Sequence, residues 1–274
     1  MDEIQREARW SLSLDGKIAL SKDIVAGAIG RFGPDFRLAW TGAKDSTLVL
    51  WITRQVCAER GLSMPRVVTI NEGDPFDEVV AFQKRLVEAW GLDLTVVAND
   101  DVLSRKPRIG DVVPVAALSE DSRAELVRTG FTGEAFPFDP ESPLGNQLMK
   151  VAPLNAFLRR EGVAALGTAI RWDEHPARAH EDYESPREDP PHTRIHPILH
   201  MLERDVWDIT RGNDIPFCEL YRQGYRSLGT KTGTVRQSDL PAWEQDLTDR
   251  CGERAGRDQE KEEAMEQLRA LGYM

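Results

Sequence analysis

Between residues 36 and 98 the chain alternates short apolar runs with longer amphipathic ones. Phe36-Arg37-Leu38-Ala39-Trp40 is apolar but for one charge and has the length of a buried strand. A helix is expected over 45–60, with Asp45 and Ser46 as N-cap residue types and Gly61 as its C-cap. Arg66-Val67-Val68-Thr69-Ile70 is rich in β-branched residues and predicts a second strand. Asp74 is placed to cap a helix over 76–90, with Pro75 at its first position and Gly91 closing it. A third strand is expected over 94–98. Strand–helix–strand–helix–strand at this spacing is the pattern of parallel βαβ units.

The flanks are read in the same way. Residues 1–34 look helical, with a stripe at Ile18, Leu20, Ile24, Val25 and Ile29 that Gly33-Pro34 ends. Residues 111–118 form a strand or a loop, 122–129 a short helix, and 131–143, rich in Gly, Pro and acids, irregular chain. A helix over 144–161 is interrupted at Pro153, and 163–170 is a fourth strand. The polar, Pro-rich stretch 180–193 reads as a mobile loop or lid. Helices are expected over 203–211, with Val206, Trp207 and Ile209 inward, and over the charged 258–271. The fold class is therefore α/β, a mainly parallel twisted sheet flanked by helices with a smaller C-terminal helical part.

Composition narrows the picture. At 274 residues and 41% hydrophobic content the chain can bury a sizeable core. No apolar run approaches the ~18 residues of a membrane span, and the acidic start Met1-Asp2-Glu3 is unlike a signal peptide. A cytoplasmic protein with no membrane association is expected. A net charge of −11 disfavours broad nucleic-acid binding. Cys57, Cys218 and Cys251 lie far apart with no Cys-x-x-Cys pair, so neither an iron–sulfur cluster nor a Cys-rich zinc site is expected.

The candidate chemistry gathers where strands end. Thr41-Gly42-Ala43-Lys44-Asp45-Ser46 joins the first strand to the first long helix. Unpaired N–H groups and the positive end of the helix dipole make such a junction an anion site. It is not a Walker A loop, which needs Gly-x4-Gly-Lys-Ser/Thr. Asp45 is a helix cap, a phosphate-loop residue, or both. Asn71-Glu72-Gly73-Asp74 and Arg171-Trp172-Asp173-Glu174-His175-Pro176-Ala177-Arg178 follow other strands, at the carboxyl edge where α/β sheets bind ligands. Arg171 and Arg178, astride Asp173 and Glu174, form either a forked oxyanion clamp or a surface salt-bridge set; the strand-end position favours the clamp. Arg226 and Lys231, among Ser227, Thr230, Thr232 and Thr234, suit an anion clamp and a solvated loop equally. All five histidines fall between 175 and 200, but without a cysteine among them, so no metal site is assigned; His175 is the histidine expected nearest an oxyanion.

The 41–46 loop resembles the pyrophosphate loop of the ATP pyrophosphatases, Ser-Gly-Gly-x-Asp-Ser, with Thr41 for the first Ser and Ala43 for a Gly. Together with Arg171…Asp173-Glu174 and Gly224-Tyr225-Arg226-Ser227-Leu228-Gly229, it resembles the phosphoadenosine phosphosulfate reductase family, and within it the small subunit of bacterial sulfate adenylyltransferase. Arg194-Ile195-His196-Pro197-Ile198, Glu203-Arg204-Asp205-Val206-Trp207 and Glu253-Arg254-Ala255-Gly256-Arg257 are similar to further segments of that family, so the likeness runs from about residue 36 to the end. Family reductases carry a nucleophilic Cys in a C-terminal tail, whereas this tail ends Leu271-Gly272-Tyr273-Met274.

The resemblance implies an adenine nucleotide alpha hydrolase-like fold. Within it, an N-terminal helical segment (1–34) precedes a nucleotide-binding domain (35–200), and residues 201–274 complete the site. It implies transfer of an adenylyl group from ATP to sulfate or a similar oxyanion, with Mg²⁺ offsetting the triphosphate charge and a GTPase as partner subunit; a homo-oligomer is left open. Lys44, Arg171 and Arg178 would be catalytic. Thr41, Gly42, Ala43, Lys44, Asp45, Ser46, Asn71, Gly73 and Gly167 would hold nucleotide. Arg171, Asp173, Glu174, His175, Arg226 and Lys231 would hold the oxyanion. The alternatives are reduction of adenylyl or phosphoadenylyl sulfate to sulfite, and a catalytically silent nucleotide-binding subunit.

Overall fold

The computed structural model of the chain describes residues 3–175, 178–248 and 252–255. Helices α1 (Glu3–Trp10) and α2 (Leu14–Phe32) lead into β1 (Phe36–Ala39), α3 (Lys44–Arg60), β2 (Arg66–Asn71), α4 (Asp77–Trp90) and β3 (Leu94–Ala98). A single turn, α5 (Asp100–Leu103), precedes β4 (Val112–Pro114), α6 (Glu120–Arg128), β5 (Ala135–Pro137), α7 (Pro143–Asn146) and α8 (Ala152–Arg160). Then come β6 (Ala165–Gly167), β7 (Glu184–Glu188), β8 (Pro191–Ile195) and α9 (Glu203–Gly212). The helix expected over 258–271 lies outside the described residues.

The main sheet has the order β3-β2-β1-β6-β8-β7. All its pairings are parallel except β7 with β8. β1 is central, so the loop leaving it opens at the middle of the carboxyl edge. Alternation of side chains assigns the two faces. Phe36, Leu38, Val67, Ala165 and Ile195 pack with Val25 and Ile29 of α2, Leu48 and Ile52 of α3, Phe82 of α4, and Val206 and Trp207 of α9. On the other face Val68, Val97 and Leu166 meet Phe157 and Leu158 of α8. Helices α2 and α9, which lie on either side of the strand series in the chain, therefore share one core.

Several expectations are corrected. The stretch 180–193 is not a lid: Glu184–Glu188 and Pro191–Ile195 form an antiparallel hairpin that extends the sheet. Its polar, proline-bearing composition suits an edge, where a strand interior proline such as Pro186 is tolerated. Residues 135–137, expected irregular, pair with 112–114 in a separate small sheet. Phe76, not Asp74, is the N-cap of α4; Asp74 instead accepts from the Lys231 and Thr232 N–H groups through its carbonyl (2.8 Å) and carboxylate (2.6 Å). The interruption near Pro153 is a π-helical stretch over Gln147–Val151. Pro153 has no N–H for the turn before it and its ring crowds that turn, which a wider turn relieves.

Gly167 is explained by packing. A Cβ there would lie 2.7 Å from Leu38 Cδ2 and 3.0 Å from Phe36 Cζ. Gly167→Ala is expected to overpack this face and lower stability by about 1–3 kcal/mol, read from urea unfolding.

Candidate functional site

The turn after β1 is shaped by its own small residues. Gly42 sits at φ +80°, and a Cβ there would meet Val79 Cγ1 of α4 at 3.0 Å, so both the backbone and the close approach require glycine. Ala43 has φ −78° and ψ 162° as the N-cap of α3, an ordinary extended conformation in which alanine costs nothing. The helix thus starts at Lys44, and Asp45 lies in its first turn without capping it. Ser46 Oγ braces the loop, accepting from the Thr41 N–H (3.3 Å) and donating to the Ala43 carbonyl (3.0 Å). The Tyr221 hydroxyl accepts from the Lys44 N–H at 2.9 Å. The N–H groups of Gly42, Asp45 and Ser46 have no partner among the described residues. The Ala43 N–H donates to Thr41 Oγ1 at 3.4 Å, so an anion seat of backbone donors is left, two amides smaller than the loop alone suggests.

Lys44, expected as a mobile cation over that seat, is instead buried beneath it. Its ammonium lies 2.5 Å from Glu253 Oε1, 3.2 Å from Asp45 Oδ2 and 3.8 Å from Glu203 Oε1, and donates to the Arg226 carbonyl at 3.3 Å. Arg171 is fully buried and divides its fork among Asp45, Glu253 and Asp173, the last at 2.9 Å. Glu253 thus bridges the loops that follow β1 and β6. Burial pulls Lys44 and Arg171 toward neutrality, but the carboxylates outweigh it and hold both pKa values well above the ordinary range. Glu253 is held low despite its burial by Arg171 and Lys44. Glu203 and Asp173 are pushed up, in each case by burial first and by Glu253 as well.

The remaining candidates divide. Arg178 pairs with Glu174, which also lies 3.2 Å from Arg254, so Arg171 and Arg178 are parts of a buried network and not an open clamp. Arg226 donates from Nε and Nη2 to Glu203 Oε2 at 2.9 and 2.7 Å, inside the same network. Lys231 does not join it: its side chain is exposed, and Asp77 is 3.9 Å away. Asn71 Oδ1 accepts from the Gly73 N–H, shaping the turn after β2, where Gly73 at φ +95° makes room for Leu103 and Phe138. His175 stays on the 171–178 loop, its carbonyl accepting from the Arg178 N–H. Glu203, Tyr221 and Glu253 were not singled out for the site from the sequence. Their only signal was membership in the Glu203…Trp207 and Glu253-Arg254 segments of the family likeness, and Tyr221 had none.

Comparison with known proteins bears on the fold and the family likeness. Residues 126–236 match the model of the phosphoadenosine phosphosulfate reductase domain. That match spans less than half of the chain and is a likeness to the family. It is 31% identical over 111 residues to adenosine 5'-phosphosulfate reductase 2 of Bacillus subtilis (strain 168), a match covering 40% of this chain and 45% of that one. A longer match, 21% identical over 238 residues, covers 87% of the chain and 89% of the adenosine 5'-phosphosulfate reductase of Geobacillus kaustophilus (strain HTA426). Among solved structures, Candida glabrata FMN adenylyltransferase in complex with FMN and an ATP analogue superposes with a TM-score of 0.58 at 17% identity. That likeness covers 84% of this chain and 71% of the other and shows the shared fold. The family model does not reach the 41–46 loop, which is a candidate site on its geometry alone.

Two expectations follow. Replacing Glu253 by Gln leaves Lys44 and Arg171 buried and short of a carboxylate, which is expected to cost about 3–5 kcal/mol of stability in denaturant unfolding. His200, buried and donating from Nε2 to the Lys17 carbonyl at 3.0 Å, has its pKa pulled down to about 4 by burial. Its folded pKa lies below the unfolded one, so the unfolded chain binds more protons between them. Stability is then full above about pH 6.5 and falls by about 1.4 kcal/mol per pH unit toward pH 4. Melting curves across that window should show a shallower slope for His200→Gln.

Proposed function

We propose that the seat formed by the Gly42, Asp45 and Ser46 amides binds phosphate groups of an adenine nucleotide, and that the chain works on adenylyl sulfate. The observation that carries this is the set of unpartnered amides at a helix N-terminus, on a loop that Gly42 and Ser46 hold in shape. Lys44 acts from below the loop as a fixed charge, not as a finger on the phosphates. Nucleotide phosphates bring Mg²⁺ with them; among the described residues no group of three or more His, Cys, Asp or Glu is placed to hold a metal. The ion would take its ligands from phosphate and water and would offset the charge of the polyphosphate.

Reduction is the reading that the relatives support: a thiolate attacks the sulfur of adenylyl or phosphoadenylyl sulfate and the nucleotide leaves; a second thiol, from a dithiol reductant, then attacks the resulting S-sulfonate, releasing sulfite and leaving a disulfide. The second reading, formation of adenylyl sulfate from ATP and sulfate, is favoured by the thiols. Cys57 and Cys218 are buried, and burial pushes both pKa values up, which is unsuited to a nucleophile. Cys251 lies outside the described residues. The two are separated by product. Sulfite release from adenylyl sulfate that disappears in Cys251→Ser establishes reduction, and pyrophosphate release from ATP with sulfate establishes transfer. Neither product, together with no binding of ATP or AMP, overturns both.

Gly42→Ala is expected to weaken nucleotide binding about tenfold or more by moving the loop off φ > 0. Lys44→Ala is expected to unfold more easily than the parent chain, because it strands Glu253 and Glu203. A nucleotide affinity unchanged by Gly42→Ala, measured by calorimetry, would remove the loop from the site.

A further inference from the structure

The face of the sheet that carries Leu166 changes character at the β7–β8 hairpin. Register pairs Arg194 with Leu166 on one side and with Ser185 on the other, and Arg187 with His192. Residues two apart on a strand share a face, so His192, Arg194, Ser185 and Arg187 lie on the side where α8 covers Leu166. Toward the hairpin this face is polar and basic. The loop before β7 adds Arg178 and Glu181.

The charges here do not balance. Arg178 is paired with Glu174. Arg187 reaches Glu181 at 3.2 Å, and that carboxylate also accepts from Ser185 Oγ at 2.5 Å and lies 3.7 Å from His196 Nε2. Arg194 remains. Its Nε is buried without a hydrogen-bond partner, and it makes no ion pair among the described residues. Burial first, and then Arg187, pull its pKa down to about 10, with Glu181 acting the other way and Arg178 adding to the repulsion. The neighbouring histidines supply no negative charge in either protonation state, and burial lowers the pKa of both His192 and His196. The side chain is half-buried, with its Nε fully enclosed; a partly desolvated guanidinium without a counter-charge is unfavourable, and its fork is well matched to a tetrahedral oxyanion.

We propose that Arg194, flanked by Arg187 and Arg178, is the seat of a sulfate or phosphate group, separate from the amides at 42–46. Arg194 supplies the fork, and the two paired arginines supply the surrounding field. The anion is either free or carried by a nucleotide. The inference does not require the loop after β1 to bind anything. Glu174, shared by Arg178 and Arg254, is the carboxylate that joins this strip to the buried network around Arg171.

The test titrates sodium sulfate, sodium phosphate and, separately, AMP and ATP into the full chain at constant ionic strength, by calorimetry. Saturable binding of sulfate or phosphate is expected, weakened about tenfold or more in Arg194→Gln and still present in Gly42→Ala. If only the nucleotide titrations respond to Arg194→Gln, the group is carried by the nucleotide; if the inorganic ions respond, it binds free. Arg194→Lys keeps the charge without the fork and should bind with intermediate affinity. In chloride alone Arg194→Gln should melt no lower than the parent, since it removes an uncompensated charge. Anion binding unaffected by both Arg194 variants overturns the proposal, as does a melting temperature lowered in chloride with anion binding intact.

Discussion

A single carboxylate, that of Glu253, holds the two halves of the carboxyl edge together. One oxygen takes the ammonium of Lys44 and the other takes the guanidinium of Arg171. Each of those cations is buried and would be untenable alone. Lys44 begins α3 and Arg171 lies in the loop after β6, so the bridge sets the relative position of the two strand ends that border the candidate site. Glu203 and Arg226 extend the same network to α9 and to the 224–234 loop. The site is assembled from five separate stretches of chain, and electrostatic pairing, more than apolar contact, defines its floor.

The β1–α3–β2–α4–β3 half was legible because its signals are local. Phe36 to Trp40 and Arg66 to Ile70 have strand composition, and Gly61 and Gly91 both adopt the left-handed C-cap conformation expected of them. Small residues after β1 marked the turn correctly. The hairpin at 184–195 was not legible. Proline and charge within it imitate a loop, and only its neighbour β6 and its edge position make it a strand pair.

The candidate site was legible in its parts and not in its pairing. Arg171, Asp173, Glu174 and Arg178 gather in the network around Lys44, as their strand-end position suggested, and Arg226, read equally as a clamp or a solvated loop, joins them. Their partners could not be read, because pairing in a buried network is decided by contacts distant in sequence. Lys44 and Glu253 are 209 positions apart. A lysine in a small-residue loop looks solvent-facing until the carboxylates beneath it are known. Arg194 shows the converse: its place in a segment of the family likeness gave it no role, and its lack of an ion-pair partner among the described residues makes it informative.

The Tyr221 hydroxyl on the Lys44 amide has a wider meaning. With the Lys44 and Ala43 donors of the turn occupied from inside the protein, and Ser46 tying its ends, the curvature of that turn is settled during folding. A guest arriving there meets a rigid receptor. It loses its own freedom on docking but imposes no ordering on the host, so its affinity should report the quality of the contacts themselves.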